Sequence, residues 1–262
     1  MIETLSILVI IVFTCLVGYL LKSLTASGAI AAFLVGQAVF AGFGAKGLFL
    51  LGVFFASSSL WSKYKANEKR NLEDKLAKGA TRDWRQVVAN GGAAALFSLF
   101  HTFYNDIAWL IGFTVCIASA NSDTWASEIG PISKKNPVYI RTFKRIERGT
   151  SGAISLLGSI AALIASLLIS LISFWVFHLD FYYCFIIFLF GFLGNIIDTV
   201  LGAFYQQLYV CSHCGIETEK RFHCQSPTKR IKGFALVDND MVNLLSGFLA
   251  AILAIGFIKL FH

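Results

Sequence analysis

Charged side chains are scarce in this chain of 262 residues. Asp, Glu, Lys and Arg make up 14% of it, whereas a soluble domain has roughly a quarter. This shortage excludes a soluble globular enzyme and a disordered chain. Proline is also rare, and its 3 residues lie between apolar segments. Hydrophobic residues reach 56% and the mean hydropathy is +0.70, so the sequence predicts an all-α, polytopic membrane protein.

The apolar runs predict a bundle of about seven or eight transmembrane helices in one integral membrane domain spanning 1–262. A helix needs about 20 apolar residues to cross a bilayer. The third and fifth segments are short, so seven spans result if one of them is re-entrant. The predicted segments are 2–21, 27–45, 47–61, 87–104, 106–120, 151–178, 181–203 and 239–261.

The net charge of +7 comes mainly from three loops, at 62–85, 134–148 and 220–232. Two predicted spans separate each basic loop from the next, so all three fall on one side of the membrane. The positive-inside rule makes that side cytoplasmic and puts both termini outside. Because the basic residues follow the membrane topology, we expect no nucleic-acid partner. The simplest location is a prokaryotic plasma membrane.

Carboxylates occur at three places where lipid would disfavour them. Asp123 and Glu128 follow directly after the fifth segment, Asp198 lies in the seventh, and Asp240 opens the last. Carboxylate oxygens suit Mg²⁺, so these four residues are predicted metal ligands, and the first three are predicted catalytic residues. Two structural readings stay open: Asp238 or Asn239 beside Asp240 could cap the last helix, and Asp198 could serve an interhelical hydrogen bond.

The basic loops contain candidate phosphate ligands. Arginine binds phosphate through its planar fork, and a helix N-terminus offers free N–H groups to an anion. The string Gly149-Thr-Ser-Gly152 is expected to open the sixth segment in that way, with a simple helix cap as the alternative. The predicted phosphate-binding residues are Arg82, Arg85, Asn90, Asn121, Arg148, Thr150, Ser151 and Asn243.

Three of the six cysteines cluster in the predicted cytoplasmic loop 204–235. Cys211 and Cys214 form a C-x-x-C pair, and His223 and Cys224 follow. Four such ligands suffice for a tetrahedral, structural Zn²⁺. Free thiols are the alternative, since the cytoplasm is reducing.

Several strings resemble the transmembrane protein 19 family of integral membrane proteins, which includes chloroplast phytyl-phosphate kinase. They run from Arg85-Gln-Val and Asn90-Gly-Gly through Asn121-Ser-Asp-Thr-Trp-Ala-Ser-Glu-Ile-Gly130 to Asp238-Asn-Asp-Met-Val-Asn243. The resemblance implies a nucleotide-dependent kinase that converts an isoprenyl monophosphate to the diphosphate. It makes CTP one candidate nucleotide.

Other functions are compatible with the same residues. Intramembrane acids also suit a transporter of lipids or small solutes, and a CTP-dependent lipid nucleotidyltransferase would share the metal and nucleotide sites. The polar residues gather at one membrane face, which favours an interfacial lipid enzyme. A nucleoside triphosphate and an isoprenyl phosphate lipid are the expected partners, and the oligomeric state stays open.

Overall fold

The computed structural model of the protein describes residues 2–65 and 77–261, and seven helices form within those ranges. The basic residues that fall in 66–76 lie outside the described part. A 3₁₀ turn, Gly130–Ile132, follows the fourth helix. The helices are α1 (Ile2–Leu20), α2 (Ala26–Lys63), α3 (Trp84–Tyr104), α4 (Ile107–Ile129), α5 (Leu156–Phe177), α6 (Phe181–Phe204) and α7 (Asn239–Phe261).

Four of these helices, α2, α5, α6 and α7, are long and apolar enough to cross a membrane. Leu5–Leu20 within α1 is a shorter apolar helix. Helices α3 and α4 carry polar residues such as Asn90 and Asp123, which lower their mean hydropathy. The helical membrane architecture is therefore confirmed, while seven or eight crossings stay a prediction.

Helix α2 folds back on itself at Gly44. This glycine has φ 59° and ψ −149°, outside the helical region. The N–H of Thr25 donates to the Arg82 carbonyl at 3.0 Å, and Arg82 Nη1 donates to Ser59 Oγ at 2.9 Å. A straight helix would hold Thr25 and Ser59 about 50 Å apart. The two predicted segments that meet near residue 46 are thus the two arms of one helical hairpin.

Helix α4 occupies the centre of the bundle and contacts α2, α3, α5, α6 and α7. Small residues let α6 approach it closely. A Cβ placed on Gly191 would lie 2.5 Å from the Ala118 Cβ, and one on Gly194 would overlap Ser119. This small-residue packing brings the two helices together, and it presents Asp198 to the polar end of α4.

The sixth predicted segment begins later than expected. Helix α5 starts at Leu156, and Ser155 Oγ caps it by accepting from Gly158 N at 3.1 Å. Gly149 and Gly152 have φ of 79° and 83°, so the chain turns here and cannot start a helix. The expectation that 149–152 opens a helix is therefore wrong, and so is the helix N-terminal anion site that depended on it.

Short strands organise the loops at one end of the bundle. Strands β1 (Val138–Tyr139) and β2 (Ala153–Ile154) pair antiparallel. In the loop after α6, β3 (Leu208–Val210) lies between β4 (Glu217–Thr218) and β7 (Lys229–Lys232), and β5 (Phe222–His223) pairs with β6 (Ser226–Pro227). Lys232 Nζ donates to the carbonyls of Gly202 and Ala203 at 3.0 and 3.1 Å, which ties this loop to the end of α6.

Candidate active site

A cavity of about 690 Å³ opens at the end of the bundle where the three basic loops meet. Lys78, Arg148 and Lys220 come from different basic loops and all line it. The three basic loops therefore meet at one end of the bundle, and their cytoplasmic orientation stays a prediction. The cavity walls also include all but one of the predicted magnesium and phosphate ligands: Arg82, Arg85, Asn90, Asp123, Glu128, Arg148, Thr150, Ser151, Asp198, Asp240 and Asn243.

Asp123 and Asp198 form the polar floor of the cavity. Their carboxyl groups lie within hydrogen-bonding distance of each other, although they belong to different helices. Ser246 Oγ donates to Asp198 Oδ2 at 3.2 Å. In the amide orientation that satisfies both of its groups, Asn243 donates to the same oxygen at 3.0 Å. Two carboxyl groups in contact repel each other when both are charged, so the pair favours a shared proton or a divalent cation.

Glu128 lies beside Arg82 at the cavity wall. Ser62 Oγ donates to Glu128 Oε1 at 2.6 Å. The Arg82 guanidinium packs over the Phe55 ring at 5.6 Å from its centroid. Burial lowers the pKa of Arg82, while the negative charge of Glu128 raises it. An arginine stays protonated at any physiological pH even when its pKa is lowered. The cavity wall therefore carries a fixed, partly buried positive charge.

Asp240 faces two cations. Lys78 Nζ is 2.5 Å and Arg85 Nε is 3.7 Å from Asp240 Oδ2. Arg85 Nη2 also bonds to Asp238 at 2.6 Å, and Asp238 caps α7 by accepting from Met241 N at 3.1 Å. The capping role considered for Asp238 is thus confirmed. Asp240 thus holds Lys78 and Arg85 through ion pairs, and its expected role as a metal ligand stays a prediction.

Asn121 does not line the cavity. It is fully buried, its Oδ1 accepts from Ser57 Oγ at 3.0 Å, and its Nδ2 donates to the Ala165 carbonyl at 3.0 Å. Both ends of the amide are used in helix packing. We therefore correct its expected position beside a phosphate and assign it to interhelical packing.

Three other predicted phosphate ligands make hydrogen bonds within the protein. Arg148 donates to the carbonyls of Pro131 and Lys134 at 3.3 and 3.2 Å. Ser151 Oγ donates to Gln206 Oε1 at 2.7 Å, and Thr150 Oγ1 donates to the Glu147 carbonyl at 3.1 Å. These residues remain at the cavity surface, but they lie on a turn and not on a helix terminus.

The sequence interpretation missed Lys78 and Glu219. Nothing in the sequence separates Lys78 from the other basic residues of its loop. Glu219 lies in the Cys/His loop and lines the cavity, accepting from Gln206 Nε2 at 2.6 Å and from Ala77 N at 3.3 Å. Burial, and to a smaller extent the charge of Asp240, raise the pKa of Glu219, while its hydrogen bonds and Lys232 lower it; together they bring the pKa to about 7.

Glu219 makes the stability of the fold depend on pH. Its folded-state pKa lies above the unfolded value, so the folded state binds more protons between about pH 4.5 and 7. Its contribution is therefore present at low pH and is lost as the pH rises through about 7. We expect Glu219→Gln to raise the Tm at pH 8 and to leave it nearly unchanged at pH 5.

The measurement is a thermal melt in detergent at both pH values. Glu217→Gln is the matched control, because Glu217 is an exposed residue of the same loop. An equal Tm change for the two variants at pH 8 would contradict the assigned burial of Glu219.

The predicted zinc ligands do come together. One ligand atom from each of Cys211, Cys214, His223 and Cys224 lies within 4.8 Å of the others. His223 Nδ1 is 3.4 Å from the Cys214 sulfur and 3.3 Å from the Cys224 sulfur. A tetrahedral zinc with bonds of about 2.1 and 2.3 Å gives edges of about 3.6 Å, so the four atoms fit such an ion.

Comparison with known proteins gives one family and several relatives. The profile of the family described as "Integral membrane protein DUF92" matches residues 9–251. Protein PGR of Arabidopsis thaliana is 34% identical over 272 aligned residues, covering 90% of this chain and 91% of that protein. Protein VTE6, chloroplastic, of the same plant is 27% identical over 241 residues, covering 90% and 66%.

A prokaryotic relative is an uncharacterized membrane protein of Methanocaldococcus jannaschii. It is 35% identical over 167 residues, covering 63% of this chain and 67% of the relative. No solved structure matches the chain significantly.

Proposed function

The chain belongs to the DUF92 family of integral membrane proteins, the family of transmembrane protein 19, and on that premise we propose that it is a lipid-phosphate kinase. It transfers the terminal phosphate of a nucleoside triphosphate to an isoprenyl monophosphate. The resemblance to a family that includes phytyl-phosphate kinase supports this proposal. So does the chemistry of the cavity at one end of the bundle.

The observation that carries the proposal is the contact between Asp123 and Asp198 in a cavity walled by cations. Oxygen ligands of this kind are those that Mg²⁺ prefers, so the pair fits this ion. When bound, Mg²⁺ supplies charge neutralisation to the phosphate oxygens. Asn243 and Ser246 hold Asp198 in position through their hydrogen bonds.

The transfer requires little from the protein beyond positioning and charge. An oxygen of the lipid phosphate attacks the γ-phosphorus, and the bond from that phosphorus to the β–γ bridging oxygen breaks. The products are the lipid diphosphate and the nucleoside diphosphate. A phosphate monoester has a second pKa of about 6, so the attacking oxygen is already largely ionised at neutral pH. No residue of the chain has to act as a strong general base.

The positively charged side chains of the cavity complement the negative charge of the nucleotide and of the lipid phosphate. Arg82 is held in a defined orientation by Phe55 and Ser59, so its fork can face a phosphate without further ordering. Lys220 and Arg221 approach from the opposite loop. We place this end of the bundle at the cytoplasmic face, where the basic loops satisfy the positive-inside rule and nucleotides are available.

The rim of the cavity offers a place for a lipid tail. Ile154 lines the cavity and is 41% exposed, and Leu156 at the start of α5 is 80% exposed. Apolar residues this exposed beside a charged cavity suit a molecule with an anionic head and an apolar tail.

The structure gives less support to a transporter. Away from the cavity, several buried hydroxyl groups bond to helix carbonyls, as in the bonds of Ser98 to Ala94, Thr114 to Leu110 and Ser166 to Phe188. Such groups are already satisfied and do not offer a polar path. Within the described residues, the charged side chains of the cavity lie at one end only.

A transfer assay with purified protein in detergent tests the proposal. Protein, Mg²⁺ and γ-labelled nucleoside triphosphate are incubated with farnesyl, geranylgeranyl or phytyl monophosphate, and with the matching alcohols as controls. We expect label in the lipid fraction only with the monophosphates. Label with the alcohols alone would move the assignment to a lipid-alcohol kinase, and no label from folded protein with any nucleotide would reject the kinase.

A further inference from the structure

The turn between β3 and β4 has the geometry of a metal-binding knuckle. The N–H groups of His213 and Cys214 donate to the Cys211 sulfur. Gly215 N donates to the Cys211 carbonyl at 2.9 Å, and Gly215 has φ 72°, a conformation that favours glycine. Amide bonds to sulfur stabilise the thiolate, which is the form that binds a metal ion.

The second pair of ligands lies on a tight hairpin turn between β5 and β6. The two turn residues, Cys224 and Gln225, have φ of 48° and 59°. Two-residue hairpin turns with positive φ at both positions are usually formed by asparagine and glycine. Cysteine and glutamine are disfavoured there, and strain of this kind is found where a function holds it. This turn conformation places the Cys224 sulfur 3.3 Å from His223 Nδ1.

We propose that Cys211, Cys214, Cys224 and His223 Nδ1 bind one Zn²⁺ as a closed structural site. Sulfur and imidazole ligands in a tetrahedral arrangement select zinc over the hard cations that carboxylates bind. Binding of three thiolates releases their protons to solvent, and the site then carries one net negative charge.

The metal site would fix the segment that carries Glu219. This segment joins β4 to β5, so one ligand pair precedes it and the other follows it. Its backbone is also held by Thr228, whose Oγ1 donates to the Lys220 carbonyl at 2.7 Å and whose N donates to the Arg221 carbonyl at 2.9 Å. Glu219, Lys220 and Arg221 all line the cavity. The use of this segment in catalysis rests on the proposed function, whereas zinc binding does not.

Zinc content tests the site directly. We expect about one zinc per chain in the wild-type protein purified in detergent, and at least a tenfold loss in His223→Ala and Cys214→Ser. His213→Ala is the matched control, since His213 bonds to Ser226 at 3.2 Å and is not among the four ligands. Zinc-free wild-type protein after expression with added zinc, a Cys211–Cys214 disulfide in its place, or full zinc in His223→Ala would overturn the site.

Limited trypsin digestion tests whether zinc holds the segment that carries Glu219 in place. It uses the wild-type protein, so the result does not depend on whether a variant folds. Removal of zinc by a chelator should speed cleavage after Lys220 or Arg221 by about tenfold or more, and added Zn²⁺ but not Mg²⁺ should restore protection. An unchanged cleavage rate in protein shown to have lost its zinc would overturn the positioning role. Zinc-dependent protection in a protein without transferase activity would reject the kinase and leave the metal site intact.

Discussion

Asp123→Asn is expected to lower the rate of phosphoryl transfer by about 10³-fold or more. The substitution keeps the size of the side chain but removes one of the two charges proposed to hold Mg²⁺. It also relieves the contact between two acids, so the Tm should stay the same or rise. The measurement is kcat in the transfer assay together with a thermal melt.

Asp106→Asn is the matched control for this variant. Asp106 caps the opposite end of the same helix by accepting from Ala108 N at 2.9 Å, and asparagine caps equally well. It should retain wild-type activity and Tm. If Asp123→Asn kept more than about a tenth of the activity, the Asp123–Asp198 pair would not be the metal site.

Arg82→Ala should lower kcat/KM for the nucleotide by about 10²-fold, which is typical for loss of one charged donor to a transition state. Arg82→Lys should recover only part of this, because lysine keeps the charge but lacks the planar fork that Phe55 and Ser59 orient. The readout is the separate change in kcat and KM for the two variants.

The exposed Arg141 provides the control for Arg82. It follows strand β1 by two residues and is not part of the cavity wall. Arg141→Ala should therefore leave kcat and KM unchanged. Full activity in Arg82→Ala, or an equal loss in Arg141→Ala, would contradict a specific role for the Arg82 guanidinium.

The sequence predicted the class of fold and most of the cavity residues. Continuous apolar runs are a strong local signal, and an acidic residue inside such a run has to face protein. That logic correctly identified Asp123 and Asp198 as candidates. It could not show that they touch, since their contact depends on how closely Gly191 and Gly194 bring α6 to α4.

The errors have identifiable physical causes. Helical spacing put Asn121 near the acidic residues, but it could not show which face of α4 is buried, and Asn121 lies on the buried face. The start of α5 was misplaced because glycine is compatible with both a turn and a helix terminus, and only the positive φ of Gly149 and Gly152 excludes the helix.

The missed residues depend on tertiary structure alone. Lys78 is distant in sequence from α7 yet pairs with Asp240, and Glu219 contacts Gln206 only because the loop after α6 folds back. No local pattern marks either residue. The Cys/His cluster was found because its ligands form two short pairs. Pairs of residues that are close in sequence can be recognised without knowledge of the fold.

The most direct test of the account is the identity of the lipid product. Wild-type protein and Asp123→Asn are incubated with Mg²⁺, an isoprenyl monophosphate and nucleoside triphosphate labelled at either the α or the γ phosphate, and the lipids are analysed by mass spectrometry. The account predicts a lipid diphosphate that contains the γ label, formed by the wild type and nearly absent with the variant. A lipid carrying the α label and a nucleoside monophosphate, or a diphosphate formed equally by both proteins, would contradict it.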